Sequence, residues 1–297
     1  MTKVFFAKDA TKAAELLTKS GLDKLITAGE EVALKIHFGE PGNTAYLKPH
    51  AVNGIRDKVK KLGGKPFYTD ANTLYHGPRN NTDDHLKVAK DHGFEPVIIS
   101  EENDCDAVEV DLKHFKKVFI AGFAARAKTM LVLTHFKGHE LTGFGGALKN
   151  AGMGLGTRLG KLKMHQECTN CPEVKSCRKN QNVEACWVGL PGLVQEKMVE
   201  YACGAVKNKK VGYINFITDV SPNCDCYPHN DPPVVPDLGI LASLDPVAID
   251  QACIDLVNKS AGKDMFREIY PDVDWNIQLK YAEEIGLGSR KYQLVVK

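Results

Sequence analysis

Short apolar runs alternate with helical spacing through the first half of the chain, and this alternation limits the fold more than any other feature. Residues 4–7, 32–38 (VALKIHF), 65–69 (KPFYT), 96–99 (PVII) and 118–121 (VFIA) read as strands. Between them, residues 10–17, 49–62 and 83–92 place apolar side chains three and four apart, the period of a helix with one buried face. Gly63-Gly64 and Gly93 stand where glycine ends a helix, and Pro49 suits a first helical turn. Strands alternating with helices form βαβ units. The expected fold is therefore α/β, a mostly parallel sheet flanked by helices in one or two lobes. A division into residues 1–125 and 126–297 is expected, the second lobe carrying a glycine-rich loop and a cysteine-rich excursion at 161–187. Sheets of this kind bind ligands beyond the carboxyl ends of their strands.

Composition excludes several classes of function. The 297 residues carry 39 basic and 37 acidic side chains, a net charge of +2, so nucleic acid is not expected as a main partner. Apolar runs such as residues 130–133 fall far short of the ~20 residues a membrane span needs. The first twelve residues, MTKVFFAKDATK, set a lysine on each side of four apolar residues, which is not a signal peptide. A cytoplasmic protein is expected.

Three polar loops follow strand ends, at residues 37–48, 70–81 and 135–150. Lys35, in the strand before the first loop, and His37, Asp70, Asn72 and Arg79 from the first two are candidate substrate-binding residues. Lys35 and His37 alternate with Leu34 and Ile36 and so share a face, where burial would oblige them to find partners. The third loop, HFKGHELTGFGGALKN, offers His135, Lys137, His139 and Lys149 as catalytic groups and Asn150 as a further binding group. Gly145-Gly146 before a short helix would let backbone N–H groups approach an anion. Close packing of chain segments is the plain alternative, because eight glycines fall between Gly138 and Gly160. No Walker loop, dinucleotide fingerprint or nucleophile elbow is present.

The nine cysteines are unevenly placed, with eight of them between Cys168 and Cys253. Cys168, Cys171, Cys177 and Cys186 give C-x2-C-x5-C-x8-C in an aperiodic segment, and four thiolates suit zinc or an iron–sulfur cluster equally well. Cys224 and Cys226 form a second pair in a loop stiffened by five prolines, and they are candidate ligands with the first four. Reduced, unligated thiols on loops are the alternative for both sets.

The stretches THFKGHELTGFGGALKNAGMGLGTRLGK, DANTLYHGPRN and ITDVSPNCDCYPHNDPPVVPDLGILASLDPVAIDQA resemble the domain-of-unknown-function 362 family of iron–sulfur centre proteins. The resemblance implies a cytoplasmic protein, often from anaerobes, that binds a [4Fe-4S] cluster and has no settled activity. Many such proteins carry C-x2-C-x2-C-x3-C-P after the glycine-rich stretch. Here the four cysteines stand at the same place with different spacing.

The expected function is iron–sulfur cluster binding, through most or all of the six cysteines, in a redox enzyme or electron-transfer protein acting on a small molecule in the cleft. One alternative is a zinc-stapled enzyme doing non-redox chemistry on an anionic substrate. Another is a non-catalytic module whose basic segment, Arg158 and Lys161 to Lys179 with Lys163, Lys175 and Arg178, docks an acidic electron carrier such as a ferredoxin.

Overall fold

The computed structural model describes residues 1–169, 171–177 and 185–297. The main sheet has seven strands: β1 (Thr2–Ala7), β2 (Glu31–Lys35), β3 (Lys65–Thr69), β6 (Thr129–His135), β9 (Lys210–Ile217), β10 (Gly239–Ser243) and β11 (Tyr292–Val296). Two small antiparallel pairs lie outside it, β4 (Cys105–Glu109) with β5 (Lys117–Ala121) and β7 (Lys137–His139) with β8 (Gly143–Gly145).

The strand order is β11-β1-β10-β9-β6-β2-β3. The four neighbours β3, β2, β6 and β9 run parallel to one another, while β10 opposes both β9 and β1. The sheet is thus mostly parallel, as the alternation of elements predicts, and it draws strands from both sides of residue 125. Helices cover both faces: α1 (Ala13–Lys19), α2 (Pro49–Lys61), α3 (Thr82–Asp91), α4 (Gly122–Arg126), α5 (Ala147–Leu155), α6 (Arg158–His165), α7 (Pro191–Val206) and α8 (Pro246–Ala261). Alternate residues of β6 therefore enter different cores, Met130 and Val132 on one side and Leu131 and Leu133 on the other.

Local chemistry fixes the element ends. Asn81 accepts the Asp84 N–H at 3.0 Å to start α3, and Asp245 accepts the N–H groups of Val247 and Ala248 at 2.9 Å to start α8. Gly63 closes α2 with a φ of 86°.

Two expectations need correction. Residues 96–99 form no strand: Pro96 has no N–H to give a ladder, and the segment touches β3 through one bridge, Tyr68 with Val97. Residues 118–121 do form a strand, but it pairs with β4 apart from the main sheet. The polar, half-exposed sequence of β4, CDAVE, concealed that partner.

Candidate active site

The parallel strands β2, β3, β6 and β9 end on one edge of the sheet, and each passes the chain to a polar loop. These loops, with α5 and α6, enclose a cavity of about 880 Å³. Lys35, His37, Asp70, Arg79, His135, Lys137, His139, Gly145, Gly146, Lys149, Asn150 and Cys226 all line it. Asn72 does not. It lies behind the wall, bonded to Thr82 Oγ1 and to His85 Nδ1, each at 3.1 Å.

Buried charge here is held by partners, as burial requires. Lys35 Nζ meets Asp70 Oδ1 at 2.9 Å and Asn150 Oδ1 at 2.7 Å. A Cβ on Gly154 would come within 2.6 Å of that ammonium, so glycine at this turn of α5 leaves the space the lysine fills. Burial pushes the Lys35 pKa down, with Asp70 opposing. Arg79, fully buried, pairs with Glu40 at 2.8 Å and also bonds the Tyr75 hydroxyl. Asp225 is held at 2.9 Å by His135 Nδ1 and at 3.3 Å by Lys137. Burial raises the Asp225 pKa, but its contacts with His135 and Lys137 overcome this and hold the carboxyl well below its ordinary range. His135 Nε2 faces the Thr218 carbonyl at 2.8 Å, so both ring nitrogens are engaged in anchoring the loop after β9.

Two thiols and two imidazoles meet at the centre. Cys224 Sγ donates to Cys226 Sγ at 2.9 Å, and the His37 Nε2 atom lies 3.5 Å from Cys226 Sγ. Lys149 Nζ lies 3.6 Å from Cys224 Sγ. The shared hydrogen bond pushes the Cys224 thiol up and holds the Cys226 thiol down, and Lys149 and Arg79 add to the second effect. Burial opposes the Lys149 ammonium, yet the two sulfurs beside it raise its pKa. Burial, reinforced by nearby cations, lowers His37 well below its usual value and His139 to about 4, so both rings are neutral at neutral pH.

Two N–H groups at the start of α5, directly after the glycine-rich turn, are taken by the protein itself. Asp250, from α8, takes the Ala147 N–H at 2.7 Å and the Leu148 N–H at 3.0 Å. Its oxygens would lie 2.4–2.6 Å from a Cβ on Gly146, which is why that position is glycine. Asp250 thus caps α5 behind Gly145 and Gly146, which line the cavity, while other glycines serve packing. A Cβ on Gly152, for example, would meet the Met198 carbonyl of α7 at 2.2 Å.

Several lining residues carried no sequence signal, namely Glu40, Tyr75, His165 and Trp187, and Lys161, expected on an exposed docking segment, is instead buried in the cavity wall. Among the described residues Lys161 reaches only backbone carbonyls, Gly156 O at 2.7 Å and Ala71 O at 3.3 Å, and burial lowers its pKa to about 7. The His165 Nδ1 atom is buried without a partner among the described residues, and burial lowers that ring to about 3.

Cys168, Cys171, Cys177 and Cys186 are partly exposed free thiols. Cys168 and Cys186 both act electrostatically on Lys197, and Trp187, beside Cys186, packs its ring 4.6 Å from that of His165 in the cavity wall. An all-thiol donor set is chemically right for a cluster. Among the described residues, however, no group of three or more His, Cys, Asp or Glu is arranged to hold a metal ion. Arg178 and Lys179 of the expected docking segment lie outside the described residues. No described helix is long and apolar enough to cross a membrane.

A family model described as a domain of unknown function, DUF362, matches residues 32–255. No curated protein matches the chain. The lactate racemase apoprotein from Thermoanaerobacterium thermosaccharolyticum aligns with a TM-score of 0.44 and 15% identity, over 74% of this chain and 51% of its own. A structural-genomics protein from Thermotoga maritima aligns with a TM-score of 0.48 and 11% identity, over 85% of this chain and 59% of its own. The chain thus spans about half to three fifths of the length of these two proteins.

Proposed function

The chain belongs to the DUF362 family, whose description assigns no function, and from that premise we propose that it is an enzyme acting on a small anionic molecule in the cavity. One observation carries this reading. Lys149 and Lys161 both line the cavity, and among the described residues neither has a carboxylate within ion-pair distance. Lys35, Arg79 and Lys137 are offset by Asp70, Glu40 and Asp225. These two lysines, without a carboxylate partner, are therefore the groups an anionic ligand would meet. Neutral His37 and His139 would take up or deliver protons beside it, and Cys226 would supply a nucleophile.

The test is thermal unfolding with a panel of mono- and dicarboxylates and phosphate monoesters. At least one class should raise Tm in a concentration-dependent way, and Lys149→Met or Lys161→Met should remove most of the shift. A panel without effect on the parent protein overturns the reading.

A second reading keeps an iron–sulfur cluster beside the cavity. It is favoured by the position of Trp187, one residue from Cys186 and itself part of the wall. Cys168, Cys171, Cys177 and Cys186 would hold the group, which would supply one-electron transfer next to the bound molecule. Protein purified without oxygen should be brown and bleach with dithionite, with iron and acid-labile sulfide in near-equal amounts. A colourless protein holding zinc would leave the cavity to non-redox chemistry.

A further inference from the structure

We propose that Cys224 and Cys226 form a dithiol/disulfide couple in the cavity wall that exchanges with a small carboxylate-bearing disulfide, Cys226 attacking and Cys224 resolving. The backbone brings the sulfurs together. A hydrogen bond from Tyr227 N to Cys224 O, 3.1 Å long, closes a turn over Asp225 and Cys226. Within that turn the two Sγ atoms come to 2.9 Å. Asp225, between them, points to His135 and Lys137 instead, and its carbonyl accepts the Glu40 N–H at 3.1 Å. The turn is thus held from the loops after β2 and β6, and a bond between the sulfurs needs little backbone movement.

The two thiols are unequal in access. Cys226 lines the cavity, whereas Cys224 is 1% exposed behind it. An incoming disulfide meets Cys226 alone, and the adduct it forms lies within reach of Cys224. Lys149 Nζ, 3.6 Å from Cys224 Sγ, stabilises negative charge on the resolving sulfur, and His37 stands 3.5 Å from the attacking one. A metal ion is the competing use of such a pair. His37 and His139 stand beside the two sulfurs, but among the described residues no group of three or more His, Cys, Asp or Glu is arranged to hold a metal ion. The remaining cysteines offer no comparable pair there. Cys253, for example, is buried against Asn215 Nδ2 at 3.4 Å.

The exchange balances. The Cys226 thiolate attacks one sulfur of R–S–S–R, forming a mixed disulfide and releasing RS⁻. Cys224 then attacks Cys226 Sγ, forming the intramolecular bond and releasing the second RS⁻. The two thiol protons pass to the released thiolates, giving two RSH. The cysteines lose two electrons and the small disulfide gains them. That this disulfide is anionic rests on the reading of the cavity given above, while the couple itself does not.

The experiment uses the whole chain, reduced and freed of reductant without oxygen. It is exposed to glutathione disulfide, which is anionic, or to bis(2-hydroxyethyl) disulfide, which is uncharged. After quenching with N-ethylmaleimide, the peptide holding both cysteines is mapped by mass spectrometry. Both alkyl groups should be lost together, with a bond between Cys224 and Cys226. Glutathione disulfide should react about tenfold faster than the neutral compound, an advantage that salt removes. Cys224→Ser should accumulate a glutathione adduct on Cys226, and Cys226→Ser should accumulate none on Cys224. If both cysteines of the parent protein stay alkylatable against either disulfide, or are shielded by a retained metal ion, the couple is overturned. If the neutral disulfide oxidises the pair as fast as the anionic one, the couple stands and its anionic substrate falls.

Discussion

Asp250 Oδ1 lies 2.7 Å from the backbone nitrogen of Ala147, so a carboxylate from one helix caps another that begins 103 residues earlier in the chain. The same oxygen also accepts from Asn215 Nδ2 at 2.8 Å, which ties α5, α8 and β9 together at one atom. Since α5 carries Lys149 and Asn150 into the cavity, this cap sets where two of the wall residues stand. Burial pushes the Asp250 carboxyl up to about 6, against the N–H groups that favour its charge. Asp250→Ala leaves buried donors unpaired and should cost about 2–4 kcal/mol of unfolding free energy. Asp250→Asn, which retains one acceptor oxygen, should cost less. Urea unfolding of the three proteins measures the order, and equal stability of Asp250→Ala and the parent would refute the structural role of the cap.

Lys161 gives the site a pH dependence of definite sign. Burial lowers its amine to about 7, so the charged fraction falls as pH rises through that value. An anion that relies on this charge binds more weakly above neutrality, by about tenfold per pH unit where one proton is linked. Affinity for whichever anion the thermal panel identifies should therefore decline from pH 7 to pH 9. In Lys161→Met the profile should be flatter and the affinity below pH 7 lower. A parent profile that rises over this range would exclude Lys161 as an anion-binding group.

The strand-end loops were legible because periodicity in the first half located β2 and β3, and polar residues directly after a parallel strand can reach only one edge of the sheet. Lys35, His37, Asp70 and Arg79 were found in this way. Lys161 and His165 were not, because they project from α6, RLGKLKMH, whose second half reads as the basic start of the cysteine-rich excursion. Nothing local marks the two residues that enter the cavity. Glu40 became visible only as the partner a fully buried Arg79 demands. Asp250 could not be read as a cap, since its partners lie in a distant segment. The glycines of residues 138–160 carried two readings that sequence does not separate, and the close approaches at Gly146, Gly152 and Gly154 are what decide them.

Lys35 and Asp70 form a pair in which neither side chain is more than 4% exposed. Removing one partner leaves a buried charge with weaker compensation, which costs about 3–5 kcal/mol in comparable pairs. Lys35→Met should approach that figure. Asp70→Asn should fall somewhat below it, because Asn150 Oδ1 still accepts from the lysine at 2.7 Å. The double substitution should be less destabilising than the sum of the two, and a double-mutant cycle on denaturant midpoints reads the coupling. Additive losses would mean that Lys35 and Asp70 are not energetically coupled.

The cluster reading makes a prediction that separates it from the chemistry of the cavity. Cys168 and Cys171 come from a partly exposed loop outside the main sheet and outside both hydrophobic cores, so replacing them should leave folding intact. In the Cys168→Ser/Cys171→Ser protein prepared without oxygen, iron and sulfide should fall to a small fraction of the parent level and the visible absorbance should be lost. Anion-dependent thermal shifts should survive, because Lys149 and Lys161 are untouched. Undiminished iron would place the cluster elsewhere in the chain and remove these two cysteines from its ligand set. Loss of the anion-dependent shift together with the iron would instead mean that the loop shapes the cavity through the contact of Trp187 with His165, 4.6 Å between ring centroids. Trp187→Ala, which leaves all four thiols in place, distinguishes that case by weakening anion binding at full iron content.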